Sequence, residues 1–160
     1  MPRMLIIALF VLLTSCGTPN DPIPTPLEAG TNTMGFYCGM ALSEHPGPKG
    51  QIHVAGETAP LWFTSVRESF TYLQMDGATR RIRAFYVNDM GNNDWNAPQP
   101  HTWILAQMAF FVMDSSKHTG VGTTEIIPFR EQTQAEAFIK QYGGRIATYQ
   151  EVSRMETWKE

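Results

Sequence analysis

The chain has 160 residues, 12 basic side chains against 15 acidic ones for a formal charge of −3, nine methionines, and only two cysteines, Cys16 and Cys38. Mild acidity with no basic cluster excludes the electrostatic footprint of a nucleic-acid binder. The length allows one ordinary domain, or two very small units sharing a core.

The chain opens as an export signal over residues 1–15. Pro2-Arg3 supplies a short positive region, residues 4–12 an apolar one, and Leu13-Thr14-Ser15-Cys16 ends it in small residues before a cysteine. This ending resembles a bacterial lipobox. The resemblance implies cleavage before Cys16, whose thiol then carries a diacylglycerol thioether, and hence a lipid-anchored protein facing the periplasm; the alternative is an ordinary secretory signal with a chance cysteine. The apolar run is too short for the ~20 residues of a membrane-spanning helix. Residues 16–33 hold Pro19, Pro22, Pro24 and Pro26 with almost no aliphatic pattern, and read as a flexible, lipidated tether.

The stretch Met34-Gly35-Phe36-Tyr37-Cys38-Gly39-Met40 follows. In an extended segment Cys38 and Met40, two residues apart, project their sulfurs from one side. A thiol and a thioether facing one point form a soft donor pair of the kind that selects Cu(I). With Cys16 acylated, Cys38 is left as a free thiol where disulfides form readily. Its two readings are a metal ligand and a buried cysteine acting as a small hydrophobe.

Next come the elements of a first β-β-α-β unit, residues 34–100. Gln51-Ile52-His53-Val54-Ala55 and Leu61-Trp62-Phe63 are strand-like, and Ser65 with Glu68 has the spacing of a capping box before a helix whose apolar face is Val66, Phe70 and Leu73. Asp76-Gly77 stops the helix, and residues 81–87 alternate as a half-buried strand. The Asn-, Asp-, Gly- and Pro-rich residues 88–101 form a loop, with Met90 just past the strand end as either a lid over the core or a ligand.

A second β-β-α-β unit, residues 101–160, repeats the order. Residues 104–113 are a long apolar strand and 125–129 a shorter one. Thr133-Gln134-Ala135-Glu136 is a capping box, Ala135, Phe138, Ile139 and Tyr142 the apolar helix face, Gly143-Gly144 the stop, and 145–152 the closing strand. The expected fold class is therefore α+β, with two tandem β-β-α-β repeats packed into one unit behind a signal and tether.

Tyr37-Cys38-Gly39-Met40, the run His45-Pro46-Gly47-Pro48-Lys49-Gly50-Gln51, Trp62-Phe63-Thr64-Ser65 and Val87-Asn88-Asp89-Met90-Gly91 together resemble the NosL family of nitrous oxide reductase accessory lipoproteins, from the lipobox to about residue 152. The resemblance implies a periplasmic Cu(I) chaperone that serves nitrous oxide reductase or its membrane-bound assembly machinery. By the same resemblance the cysteine-glycine-methionine motif implies a thiolate ligand at Cys38 and a thioether at Met40, and the aspartate-methionine-glycine motif a second thioether at Met90.

His45 is a further candidate donor, against a reading as an exposed turn histidine. Lys49 is a residue that could contact a partner or lower the pKa of Cys38. No phosphate loop, serine triad or paired-carboxylate signature is present. Against the carrier stand a periplasmic enzyme using Cys38 as nucleophile or redox group, tuned by Lys49 or a histidine, and an assembly factor with no metal of its own.

Overall fold

The computed structural model describes residues 22–75 and 77–156; the expected signal and Cys16 lie outside the described residues. The first sheet holds β1 (Gly50–Val54), β2 (Leu61–Phe63), β3 (Ile82–Asn88) and β4 (Trp103–Leu105), all antiparallel in the order β2-β1-β3-β4. Helix α1 (Val66–Leu73) connects β2 to β3. The second sheet holds β5 (Phe110–Met113), β6 (Ile127–Phe129) and β7 (Arg145–Ala147) in the order β6-β5-β7, with α2 (Gln132–Tyr142) between β6 and β7. In both units the first strand lies in the middle and pairs antiparallel with the next two. The expected β-β-α-β order thus recurs in topology as well as in sequence order.

Alternation along the strands builds two cores. Phe85 and Val87 of β3 face the first, together with Phe63, Val66 and Phe70. Phe111 and Met113 of β5 join that same cluster, whereas Val112 turns to a second one with Met90, Ile127, Phe129 and Ala135. This is the period-2 rule acting on a strand buried on both faces. The second sheet is therefore shared, with the first unit on one side and α2 on the other. Phe70 ties the elements together, its ring centroid 5.3 Å from Phe85 and 5.4 Å from Phe111 in edge-on geometry.

Helix α1 starts as expected at Ser65, whose hydroxyl accepts from the Glu68 amide at 3.1 Å. The returning half of the box shifts by one residue. The Glu68 carboxylate accepts from the amide and hydroxyl of Thr64, at 3.0 and 2.8 Å, and so braces the end of β2.

Three local expectations are corrected. The apolar run 104–113 is two strands in two sheets, separated by a 3-10 turn at Ala106–Met108. The chain must leave one sheet for the other there, and buried Ala106 and Ala109 let it pass close to the core. The stretch 145–152 is a short strand followed by α3 (Tyr149–Arg154), which a Thr148–Glu151 capping box starts. The helical spacing of Tyr149 and Val152 returns that segment to the first core. Finally, α2 begins at Gln132 with Glu131 at its N-cap and no side-chain cap, so Thr133 lies inside the first turn.

The far end of the expected tether lies on the first sheet. Gln51 exchanges two hydrogen bonds with the Leu27 backbone, both at 2.9 Å, and the Tyr86 hydroxyl donates to the Pro24 carbonyl at 2.8 Å.

Candidate metal centre

Cys38 sits at the tip of a small hairpin. Met34 bridges to Ala41, the Gly35 amide donates to the Met40 carbonyl at 2.9 Å, and Gly39 closes the turn at φ +62° by donating to the Gly35 carbonyl. The segment is therefore a turn, and the extended i, i+2 geometry expected for the two sulfurs does not apply. What joins Cys38 to Met40 is the Met40 amide, which donates to Cys38 Sγ at 3.4 Å. The Met40 side chain is 41% exposed and lines a shallow cleft with Met34 and Glu44.

The hairpin is held to the body by the Phe36 amide, which donates to the Trp62 carbonyl at 2.7 Å, and by the Phe36 ring, tilted against Phe63 and edge-on to Tyr72. Gly35 is required at its base. A β-carbon there would stand 2.6 Å from Thr64 Cγ2 and 3.0 Å from Cys38 Sγ.

His45 is the residue the structure brings to the thiol. Its Nε2 lies 3.9 Å from Cys38 Sγ, and the residue is only 7% exposed. The reading of His45 as an exposed turn histidine is thereby overturned. Opposed donors about 2.3 Å (sulfur) and 2.0 Å (nitrogen) from a first-row ion such as zinc are separated by at most about 4.3 Å. The observed gap therefore suits one ion held between thiolate and imidazole, both donors that copper accepts.

Lys49 is held by backbone carbonyls. Its ammonium donates to the carbonyls of His45, Pro46 and Gly47 at 2.8, 3.2 and 2.5 Å, so it faces into its own loop. Burial lowers its pKa to about 8, against the opposing pull of Glu125 and Glu68. Glu125 is fully buried, and desolvation raises its pKa to about 7 although its Oε1 accepts from the amides of Arg67 and Ile126. Glu125 did not stand out in the sequence, because its burial is a tertiary fact.

Met90 packs in the second core. It is 7% exposed, and its amide donates to the Pro128 carbonyl at 2.9 Å. Its neighbours in the motif do structural work. Asp89 Oδ1 accepts from the amides of Gly91 and Arg130, and a β-carbon on Gly91 would meet the Gln134 side chain at 2.0 Å. Among the described residues, no group of three or more His, Cys, Asp or Glu side chains converges as a metal site. Thus the donors brought together are Cys38 and His45, with Met40 adjacent on the hairpin.

The chain is similar to known proteins of one family. The family model described as NosL matches residues 26–157. A copper-binding lipoprotein NosL of Achromobacter cycloclastes is 36% identical over 94% of this chain and 79% of its own, and one of Stutzerimonas stutzeri is 26% identical over the same shares. Among solved structures, the crystal structure of the copper chaperone NosL from Shewanella denitrificans superposes with a TM-score of 0.76 at 32% identity, covering 82% of this chain and 98% of that one. On the family model and the identity to these relatives, the chain belongs to the NosL family.

Proposed function

We propose that this chain is a Cu(I)-binding metallochaperone lipoprotein, not an enzyme, which delivers copper for assembly of the copper centres of nitrous oxide reductase. The observation that carries the reading is the approach of Cys38 Sγ to His45 Nε2, 3.9 Å apart, at the tip of a hairpin that also presents Met40. The relatives' names as copper-binding lipoproteins and copper chaperone support the metal, and the sequence resemblance supports the acceptor.

In this reading Cys38 is the anchoring thiolate and Met40 the exposed thioether through which copper enters and leaves. His45 supplies the imidazole, and Met90 is the second thioether of the set, as its motif implies. Soft sulfur donors hold Cu(I) against water and hard ligands. Because Met40 lies open at the surface, a ligand of the acceptor can join the copper before a carrier ligand departs. Transfer is then ligand exchange, driven by the acceptor's higher affinity and by docking. Of the two groups that could tune Cys38 in a thiol enzyme, the Lys49 ammonium is engaged by three carbonyls, while His45 stands beside the thiol.

The diacylated Cys16 confines the carrier to a membrane surface facing the periplasm. Two acyl chains suffice for stable anchoring where one gives only marginal binding. The test is cellular. Cells carrying Cys38→Ser are expected to make normal amounts of nitrous oxide reductase polypeptide that is under-metallated at limiting copper, and to release nitrous oxide. Fully metallated, active reductase in that strain would show that the chain serves another acceptor.

A further inference from the structure

The backbone of His45 is bound by Lys49, and its ring lies against Gly120. On one side the Lys49 ammonium gathers the consecutive carbonyls of His45, Pro46 and Gly47, which curl the loop around it. Lys49 is itself fixed, because its amide donates to Asn88 Oδ1 at 2.9 Å and its carbonyl accepts from the Asn88 amide at 3.1 Å, at the end of the β1–β3 ladder. Gly47 takes φ +82° and donates its amide to the Trp95 carbonyl at 2.6 Å, so the curl is also pinned from the 88–101 loop. On the other side stands Gly120, from the β5–β6 connection of the second unit. A β-carbon there would lie 2.5 Å from His45 Nδ1.

We propose that Lys49 and Gly120 are positioning residues for the copper site, Lys49 clasping the 45–47 turn from within and Gly120 leaving the room that lets His45 present Nε2 to Cys38. The inference rests on the reading of Cys38 and His45 as donors given above. A lysine suits the first role because an ammonium offers three divergent protons on a flexible stem, whereas the planar fork of arginine cannot meet three carbonyls of one tight turn. Without the ammonium, three carbonyls lose their partner, and the turn that carries His45 loses its clasp and keeps its ties to Trp95 and Asn88. A methyl group at residue 120 acts from the opposite side, since the ring must move away and carry Nε2 with it. Preorganisation is the gain. Outer residues that orient a metal ligand typically change affinity by about 10- to 100-fold.

The experiment is an anaerobic Cu(I) competition titration against a chromophoric Cu(I) chelator, with X-ray absorption of the loaded protein to count nitrogen neighbours. It compares wild type, His45→Ala, Lys49→Met, Lys49→Arg, Gly120→Ala and the double variant Lys49→Met/His45→Ala. His45→Ala is expected to weaken Cu(I) binding and remove the nitrogen contribution. Lys49→Met and Gly120→Ala are expected to weaken it roughly tenfold with the same spectral loss, Lys49→Arg to fail as a rescue, and Lys49→Met to add nothing in the His45→Ala background. Should Lys49→Met not fold, Gly120→Ala decides alone, because it keeps the clasp. Wild-type affinity and an intact nitrogen signal in Gly120→Ala and Lys49→Met, while His45→Ala is impaired, would overturn the positioning role and leave the donor reading standing. Wild-type behaviour of His45→Ala would instead overturn His45 as a donor, and the positioning role with it.

Discussion

Cys38 Sγ and His45 Nε2 stand 3.9 Å apart although they belong to different local structures, a glycine-closed hairpin and a lysine-clasped turn. Each is built by its own hydrogen bonds, so the chain's own packing, without help from a ligand, sets where the two donors stand. A preformed pair of this kind limits the ordering that binding requires.

The two methionines are expected to separate by their burial. Met40 is 41% exposed, so Met40→Leu should weaken Cu(I) binding without moving the thermal midpoint. Met90 packs against Val112, Ile127 and Phe129, so Met90→Leu should also change stability, by less than about 1.5 kcal/mol for a volume-conserving swap. Chelator competition and thermal unfolding of both variants check this. Unchanged Cu(I) affinity in Met40→Leu would remove that thioether from the set.

Gly35→Ala tests how the thiol is placed. Its methyl group would meet Thr64 Cγ2 and Cys38 Sγ, and overpacking of this kind costs about 1–3 kcal/mol. Chemical denaturation should show that loss together with weaker Cu(I) binding, whereas Gly39→Ala meets no atom and loses only its relaxed left-handed backbone.

Glu125 predicts a pH dependence of stability. Its pKa rises from an ordinary 4.5 to about 7 on folding, so between those values the folded chain binds more protons than the unfolded one. The contribution is fully present below pH 4.5 and is lost as pH rises through about 7, amounting to about 3 kcal/mol at 1.36 kcal/mol per pH unit. Glu125→Gln keeps an oxygen for the Arg67 and Ile126 amides and carries no charge. Urea midpoints from pH 4.5 to 8 should therefore fall less steeply with pH in the variant than in wild type. Parallel profiles would place the ionisation of Glu125 outside this window.

The anchor is tested by fractionation. Native protein is expected with the membranes and acylated at Cys16, and Cys16→Ser is expected to carry no lipid by mass spectrometry. Soluble wild type with an unmodified Cys16 would remove the lipoprotein assignment.

How far sequence carried the description depended on where each feature's cause lies. The repeat order could be read because each element bears its own signal: the Ser65 cap, the alternation along β3, Gly143 and Gly144 ending α2. The break at Ala106–Met108 has no breaker residue, because what cuts that apolar run is the change of sheet. The α3 capping box was present in Thr148 and Glu151 but hidden behind an apparent strand. Within the site, the sulfur donors were visible as residue types. The approach of His45 was not, since it depends on the lysine clasp and on Gly120 from the other unit, and both are tertiary facts.

Anaerobic Cu(I) titration of the chain from Pro19 onward, wild type against Cys38→Ser, bears most directly on the carrier assignment. Wild type should bind one Cu(I) per chain in competition with a chromophoric chelator. Cys38→Ser should lose more affinity than Met40→Leu or Met90→Leu, because it removes the thiolate that the thioethers and imidazole only supplement. Equal Cu(I) binding by Cys38→Ser and wild type would contradict it.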